Sequence, residues 1–382
     1  MNARWDIFCK VVDNFGDAGV AWRLARQLAH EHALAVRLWI DELRPLARFV
    51  PGVDSGCDMQ RVDGIEIRQW RTPFTEVAPA DVVVEAFGCG LPDVYSSAMA
   101  RASPPPVWVV LEYLSAEPWI DTAHGLPSPH PQLALTRRFW FPGFTSGTGG
   151  LQREAGLIEA RDAFRRDAKA RAQLWETLAL PVPAAGECRV SFYCYPGPAV
   201  PALFDAWADG DESVSCLVPD GVAAGAVDAW TAGDVPHPGR PVSRGQLTLH
   251  SVPFVTQEVF DCLLWSCDVN FVRGEDSFVR AQWAARPFVW HIYPQAENAH
   301  LAKLDAFVDR YVDGLGPPEA AAVRRMFNAW NGATANDDID GAWRAFAAFR
   351  PALLRHGEVW SNQLAALPEL VAGLVKAASD RL

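Results

Sequence analysis

Short runs of apolar, β-branched residues alternate in the first half of the chain with longer segments whose apolar positions recur at helical spacing. Residues 7–12 predict a strand. Residues 19–30 predict a helix, with Val20, Leu24 and Leu28 on one face at i, i+4 and i+8. Further strands are predicted at 35–40, 65–70, 81–87 and 107–114. Runs as continuously apolar as V-V-V-E-A-F suit a parallel sheet covered on both faces.

The pattern changes over 144–173, where the loop T-S-G-T-G-G leads into an Arg/Ala/Asp-rich helical segment. P-V-P-A-A-G at 181–186 then breaks the chain. Beyond it the alternation resumes, with strands predicted at 189–195, 215–218, 247–252, 269–273 and 287–293, and helices at 256–266 and 277–285. A chain of 382 residues exceeds one domain at about 150 residues each. We therefore expect an α/β protein of two Rossmann-like halves, 1–180 and 186–357, with a helical segment at 358–382 packing back onto the first. Ligands should lie between the halves, beyond the carboxyl ends of the strands.

Composition narrows the function. Half of the residues are hydrophobic and 21% are charged, as in a packed globular protein. The net charge is −12, and lysine occurs only at Lys10, Lys169, Lys303 and Lys376. Such a surface argues against nucleic acid as a partner, which needs a dense positive patch. It suits a cationic acceptor, although acidity also serves solubility. The eight cysteines form no C-x-x-C pair and read as reduced thiols of a cytoplasmic protein. No leader-like apolar segment opens the chain, and no run approaches the ~20 apolar residues of a membrane span. No membrane partner is expected.

Two motifs carry candidate chemistry. The first, D-N-F-G-D-A-G-V from Asp13, lies between the first predicted strand and helix, at the first switch-point loop of a doubly wound sheet. Asp13 and Asp17, four residues apart around a glycine turn, can converge on one site, and Gly16 and Gly19 allow close backbone approach to a ligand. Equally, Asp17 could cap the helix and Asp13 shape the turn. The loop lacks G-x-G-x-x-G, which weakens a nicotinamide dinucleotide reading.

The second motif is D-V-N-F-V-R-G-E-D-S-F-V-R-A-Q-W from Asp268. A strand ends at Arg273, Gly274 turns the chain, and Asp276 or Ser277 starts a helix whose N–H groups can hold a diphosphate. Arg273 would clamp it. Glu275 and Asp276 would repel phosphate, so they fit sugar hydroxyls or the orientation of Arg273 better; an ordinary capped helix with a local ion pair is the plainer alternative. Phe192, Tyr193, Tyr195 and Phe254 stand at strand ends and offer stacking faces for a base, with Gln257 as a hydrogen-bonding partner. Asp209 and Asp211 form a D-x-D in a polar loop that we discount. The histidines show no metal-ligand spacing.

These stretches, together with S-F-Y-C-Y and P-F-V-W-H-I-Y-P-Q, resemble the bacterial protein-arginine rhamnosyltransferases (EarP) that modify elongation factor P, in order and spacing across nearly the whole chain. The resemblance implies a GT-B fold with dTDP-β-L-rhamnose in the C-terminal domain, elongation factor P as acceptor on the N-terminal domain, inversion at the anomeric carbon, and no metal or other cofactor. It implies Asp17 as general base with Asp13 as its companion, and Glu275 as a further catalytic candidate. Asn14, Phe15 and Gly16 would join the substrate-binding residues. Tyr193, Tyr195, Phe254, Gln257, Arg273, Asp276 and Ser277 would surround the nucleotide and diphosphate. A metal-independent GT-B enzyme with a glycan acceptor, and a non-catalytic nucleotide-sugar-binding protein, are the alternatives.

Overall fold

The computed structural model describes residues 3–197, 199–333 and 338–381. The chain forms two compact units, Met1–Ala155 with Leu364–Leu382, and Gly156–Gln363.

In the first unit the strands are β1 (Arg4–Cys9), β2 (Ala35–Ile40), β3 (Met59–Val62), β4 (Ile65–Gln69), β5 (Val82–Ala86), β6 (Val107–Leu111), β7 (Pro127–Pro129) and β8 (Thr136–Trp140). Their order across the sheet is β3-β4-β2-β1-β5-β6-β8-β7. The six inner strands run parallel; β3 and β7 pair antiparallel at the edges. The chain winds outward from β1 through β2 to β4, then returns to β5 and winds the other way. The switch point therefore lies between β1 and β5. One face of this sheet is covered by helix Asn14–His30, where Leu24, Ala25 and Leu28 join Ile7, Leu38, Val82 and Val84 in one core. Side chains on both faces are buried, which is why β5 reads as an apolar run broken only by the buried Glu85.

The second unit holds β9 (Cys188–Phe192), β10 (Val214–Pro219), β11 (Val242–Arg244), β12 (Leu247–Val252), β13 (Val269–Arg273) and β14 (Phe288–His291) in the order β11-β12-β10-β9-β13-β14. All pairs are parallel except β11 with β12. Here the switch point lies between β9 and β13.

Three expectations shift. The first helix starts at Asn14, a turn earlier than the apolar spacing suggests. The units divide at Ala155–Gly156, ahead of the 181–186 break, because helix Leu157–Arg166 is bound into the second unit: Arg161 donates to the Trp283 carbonyl and the Ser361 hydroxyl. The C-terminal return begins at Leu364, within helix Arg350–Ala365, and its last helix, Leu370–Ser379, inserts Leu370, Val371 and Leu374 into the first unit's core. A backbone bridge between Leu151 and Glu369 and a bond from Arg153 to the Ala365 carbonyl secure that return.

Candidate active site

Asp17 stands in the first turn of helix Asn14–His30, beyond the end of β1, with 1% of its surface exposed. Its carboxylate turns back over the loop. Oδ2 accepts the backbone N–H groups of Val12 and Asp13, both at 2.8 Å, and Oδ1 accepts the Tyr113 hydroxyl at 3.2 Å. The alternative that Asp17 caps the helix is thus replaced: Asp13 holds the cap position, and its side chain accepts no capping bond. The Asp13 carbonyl accepts the Gly16 N–H at 2.7 Å. Phe15 packs against the core, whereas Asn14 is exposed.

Burial pushes the Asp17 carboxyl above the ordinary carboxylate range, and the negative Asp41 adds to this; the two backbone N–H groups and Tyr113 pull it back. A buried carboxylate of raised pKa, itself hydrogen-bonded, is the kind of group that accepts a proton in catalysis.

Tyr113 was not singled out from sequence. It follows β6 by two residues and stacks on Phe87, which follows β5, with ring centroids 4.4 Å apart and planes 15° from parallel. Phe87 holds a left-handed backbone, φ 58°. Because β1, β5 and β6 are neighbours, Asp17, Phe87 and Tyr113 meet at the carboxyl ends of three adjacent strands. The available signal was that E-A-F-G and E-Y-L each end an apolar strand run.

The second motif lies at the other switch point. Ser277 closes the turn after β13 on both sides: its oxygen accepts the Arg273 N–H at 2.9 Å and its hydroxyl donates to the Arg273 carbonyl. Trp290 Nε1 donates to the Gly274 carbonyl at 2.9 Å, and Gly274 takes φ 57°. The Ser277 hydroxyl therefore shapes the loop, which qualifies its expected role beside a diphosphate. Glu275 is the cap residue of helix Asp276–Ala284, without a side-chain capping bond, and Glu275, Asp276 and Ser277 are half-buried. That helix is tied to helix Gln257–Ser266 by the buried pair Arg280–Asp261, joined by two hydrogen bonds at 2.8 and 2.6 Å.

Arg273 donates to the Cys194 carbonyl at 2.8 Å, and its guanidinium carbon lies 4.9 Å from the Tyr195 ring centroid. The Tyr195 N–H donates to His291 Nδ1 at 3.2 Å. That bond keeps Nδ1 unprotonated, and burial beside Arg273 pushes His291 down to about 4. Arg273, Tyr195 and His291 thus form one cluster. Tyr193 turns toward helix Gln257–Ser266 instead, edge-on to Phe260 at 4.9 Å. Phe254 is half-buried ahead of that helix, and Gln257, its first residue, is buried; both belong to β12's end of the sheet, two strands from β9. Among the described residues no three His, Cys, Asp or Glu side chains are grouped to hold a metal ion. No helix among them is long and apolar enough to cross a membrane.

The comparisons with known proteins converge. Residues 5–379 match the family described as elongation factor P (EF-P) rhamnosyltransferase EarP. A protein-arginine rhamnosyltransferase of Pseudomonas putida is 47% identical over 98% of both chains, and that of Pseudomonas aeruginosa is 44% identical over the full length of both. A solved structure that explains EarP-mediated arginine glycosylation of EF-P matches over 100% of both chains, with TM-score 0.71 and 35% identity. MurG of Acinetobacter baumannii, 12% identical with TM-score 0.51, shares the fold. Two Rossmann-like units, each carrying its candidate residues at a switch point, give the GT-B fold expected from sequence, and the chain belongs to the EarP family of protein-arginine rhamnosyltransferases.

Proposed function

We propose that this chain transfers L-rhamnose from dTDP-β-L-rhamnose to an arginine of elongation factor P, with inversion and without a metal, in the cytoplasm. The observation that carries the reading is the Asp17 carboxylate, buried and held by three donors at the switch point of the first unit. The second unit supplies the donor site. Arg273 and the start of helix Asp276–Ala284 offer positive charge to the diphosphate, since first-turn N–H groups lack intrahelical partners. Tyr195 and Phe254 offer ring faces to the nucleotide.

Arginine is a poor nucleophile because its guanidinium is protonated and delocalised, with a pKa above ~12. Asp17 does not deprotonate it in the ground state. It orients one nitrogen, with Asp13 holding the planar fork, and accepts the proton as the carbon–nitrogen bond forms. The anomeric carbon–oxygen bond breaks, and its electron pair leaves with the dTDP diphosphate. The carboxylates also lower the energy of the positive charge that develops on the sugar. Glu275, at the cap of the donor-side helix, is placed in this proposal near the sugar hydroxyls.

The test is direct. Purified chain, dTDP-β-L-rhamnose and elongation factor P, with chelator present, should add one deoxyhexose to an arginine by mass spectrometry, and NMR of the product should show an α-linkage. Donor hydrolysis with no labelled acceptor, or a β-linked product, would count against it.

A further inference from the structure

A carboxylate has about four lone-pair sites, two on each oxygen. In Asp17 both sites of Oδ2 face backbone N–H groups, and Oδ1 already accepts from Tyr113. Among the described residues, three of the four are filled. Resting on the reading of Asp17 as the base, we infer that Tyr113 is a positioning residue that selects the remaining site of Oδ1 as the point where the acceptor guanidinium binds and its proton arrives.

The Tyr113 hydroxyl is itself fixed. Its ring lies flat on Phe87, and Phe87 is anchored at the end of β5 by its N–H, which donates to the Leu111 carbonyl at 2.6 Å. The stack therefore ties three strand ends together and sets the direction from which Oδ1 is approached. In the transfer step, the proton leaves the guanidinium nitrogen for Oδ1 as that nitrogen bonds the anomeric carbon, and dTDP departs with the electron pair of the broken carbon–oxygen bond. Tyr113 keeps its proton throughout. By donating to the carboxylate it also holds Asp17 ionised to lower pH than burial alone would allow. Asp41 beyond β2 and Cys9 on β1, which burial and Asp17 keep as a thiol, also bear on Asp17, and Asp13 donates its backbone N–H from the loop.

The experiment compares Tyr113→Phe with the native enzyme in steady-state rhamnosylation of elongation factor P across pH, with dTDP affinity measured in parallel. The ring stack survives in Tyr113→Phe and the hydrogen bond does not. We expect kcat to fall roughly 10- to 100-fold, the scale of a hydrogen bond to a charged group. KM for the acceptor and dTDP affinity should stay near native. The acid limb of kcat should move to higher pH, because activity needs the carboxylate and its protonation now comes sooner. Phe87→Leu keeps the hydroxyl but removes its flat support, so it should lower kcat less and move the limb less. Native kcat with an unmoved limb in Tyr113→Phe overturns the inference, as does a kcat loss with the limb unmoved. Asp17→Asn in the same assay separates the two levels: if it remains active, the base assignment itself fails; if it is inactive while Tyr113→Phe is native, only the positioning role fails.

Discussion

The guanidinium of Arg273 lies over the ring of Tyr195 and, in the same pose, donates to the carbonyl of the residue before it, Cys194. One strand end thus holds the cation of its neighbour in place. Arg273→Lys should lose both the planar fork and the stacking. Cation–π contact is worth about 0.5–2 kcal/mol, so dTDP should bind at least several-fold more weakly by calorimetry. Tyr195→Phe, which keeps the ring, should bind nearly as the native enzyme does.

Asp17→Asn should raise thermal stability while removing transfer. The folded state raises the Asp17 pKa, so the favourable contribution of this group is present below its unfolded pKa and is lost as pH rises through the folded value. At pH 7.5 the buried charge is therefore a cost. The amide removes it, and its oxygen can still accept the Val12 and Asp13 N–H groups. Melting curves should show the variant above native at pH 7.5 and the gap closing toward pH 4. A variant less stable than native at pH 7.5 would refute this.

His291 behaves in the opposite sense. Its pKa falls from 6.5 to about 4 on folding, so its contribution is present above pH 6.5 and is lost as pH drops to about 4. The loss is on the order of 3 kcal/mol at 1.36 kcal/mol per unit. Because Nδ1 accepts the Tyr195 N–H, His291→Asn should flatten this part of the stability profile in urea titrations from pH 7 to 4. An unchanged slope would place the titration elsewhere.

These effects mark what the sequence could show. β2, β12 and β13 fall where apolar runs predicted them, at 35–40, 247–252 and 269–273, because most of their side chains are buried; Ala35, at the start of β2, is exposed. The start of the first helix was missed because N-F-G reads as a turn; Asn14 does carry φ 30°, and the Asp17 carboxylate holds the loop ahead of it. Tyr113 was illegible for another reason. It lies 96 residues from Asp17, and only the strand order β1-β5-β6 brings them together. Ser277 falls in the turn after β13, as its place behind Gly274 suggests, but its commitment to both backbone groups of Arg273 depends on turn geometry that the letters do not encode.

Gly150 is a sharper test of the C-terminal return. It takes φ 71°, and a Cβ there would stand 1.8 Å from the Pro368 carbonyl oxygen. Gly150→Ala should separate the Leu151–Glu369 bridge and expose helix Leu370–Ser379. Hydrogen exchange should then rise in 364–381 with little change in 188–292. Native protection throughout would show that the backbone yields at small cost.

That return has a consequence for biosynthesis. Residues 364–382 follow the whole of Gly156–Gln363 in the chain, yet they carry Leu370, Val371 and Leu374 of the first unit's core. On the ribosome the second unit can emerge and fold while the first still shows an uncovered apolar face. The part that carries Asp17 is made first and finished last, so a chain stalled just short of its end would hold a formed Arg273 turn while the first unit's core still lacked Leu370, Val371 and Leu374.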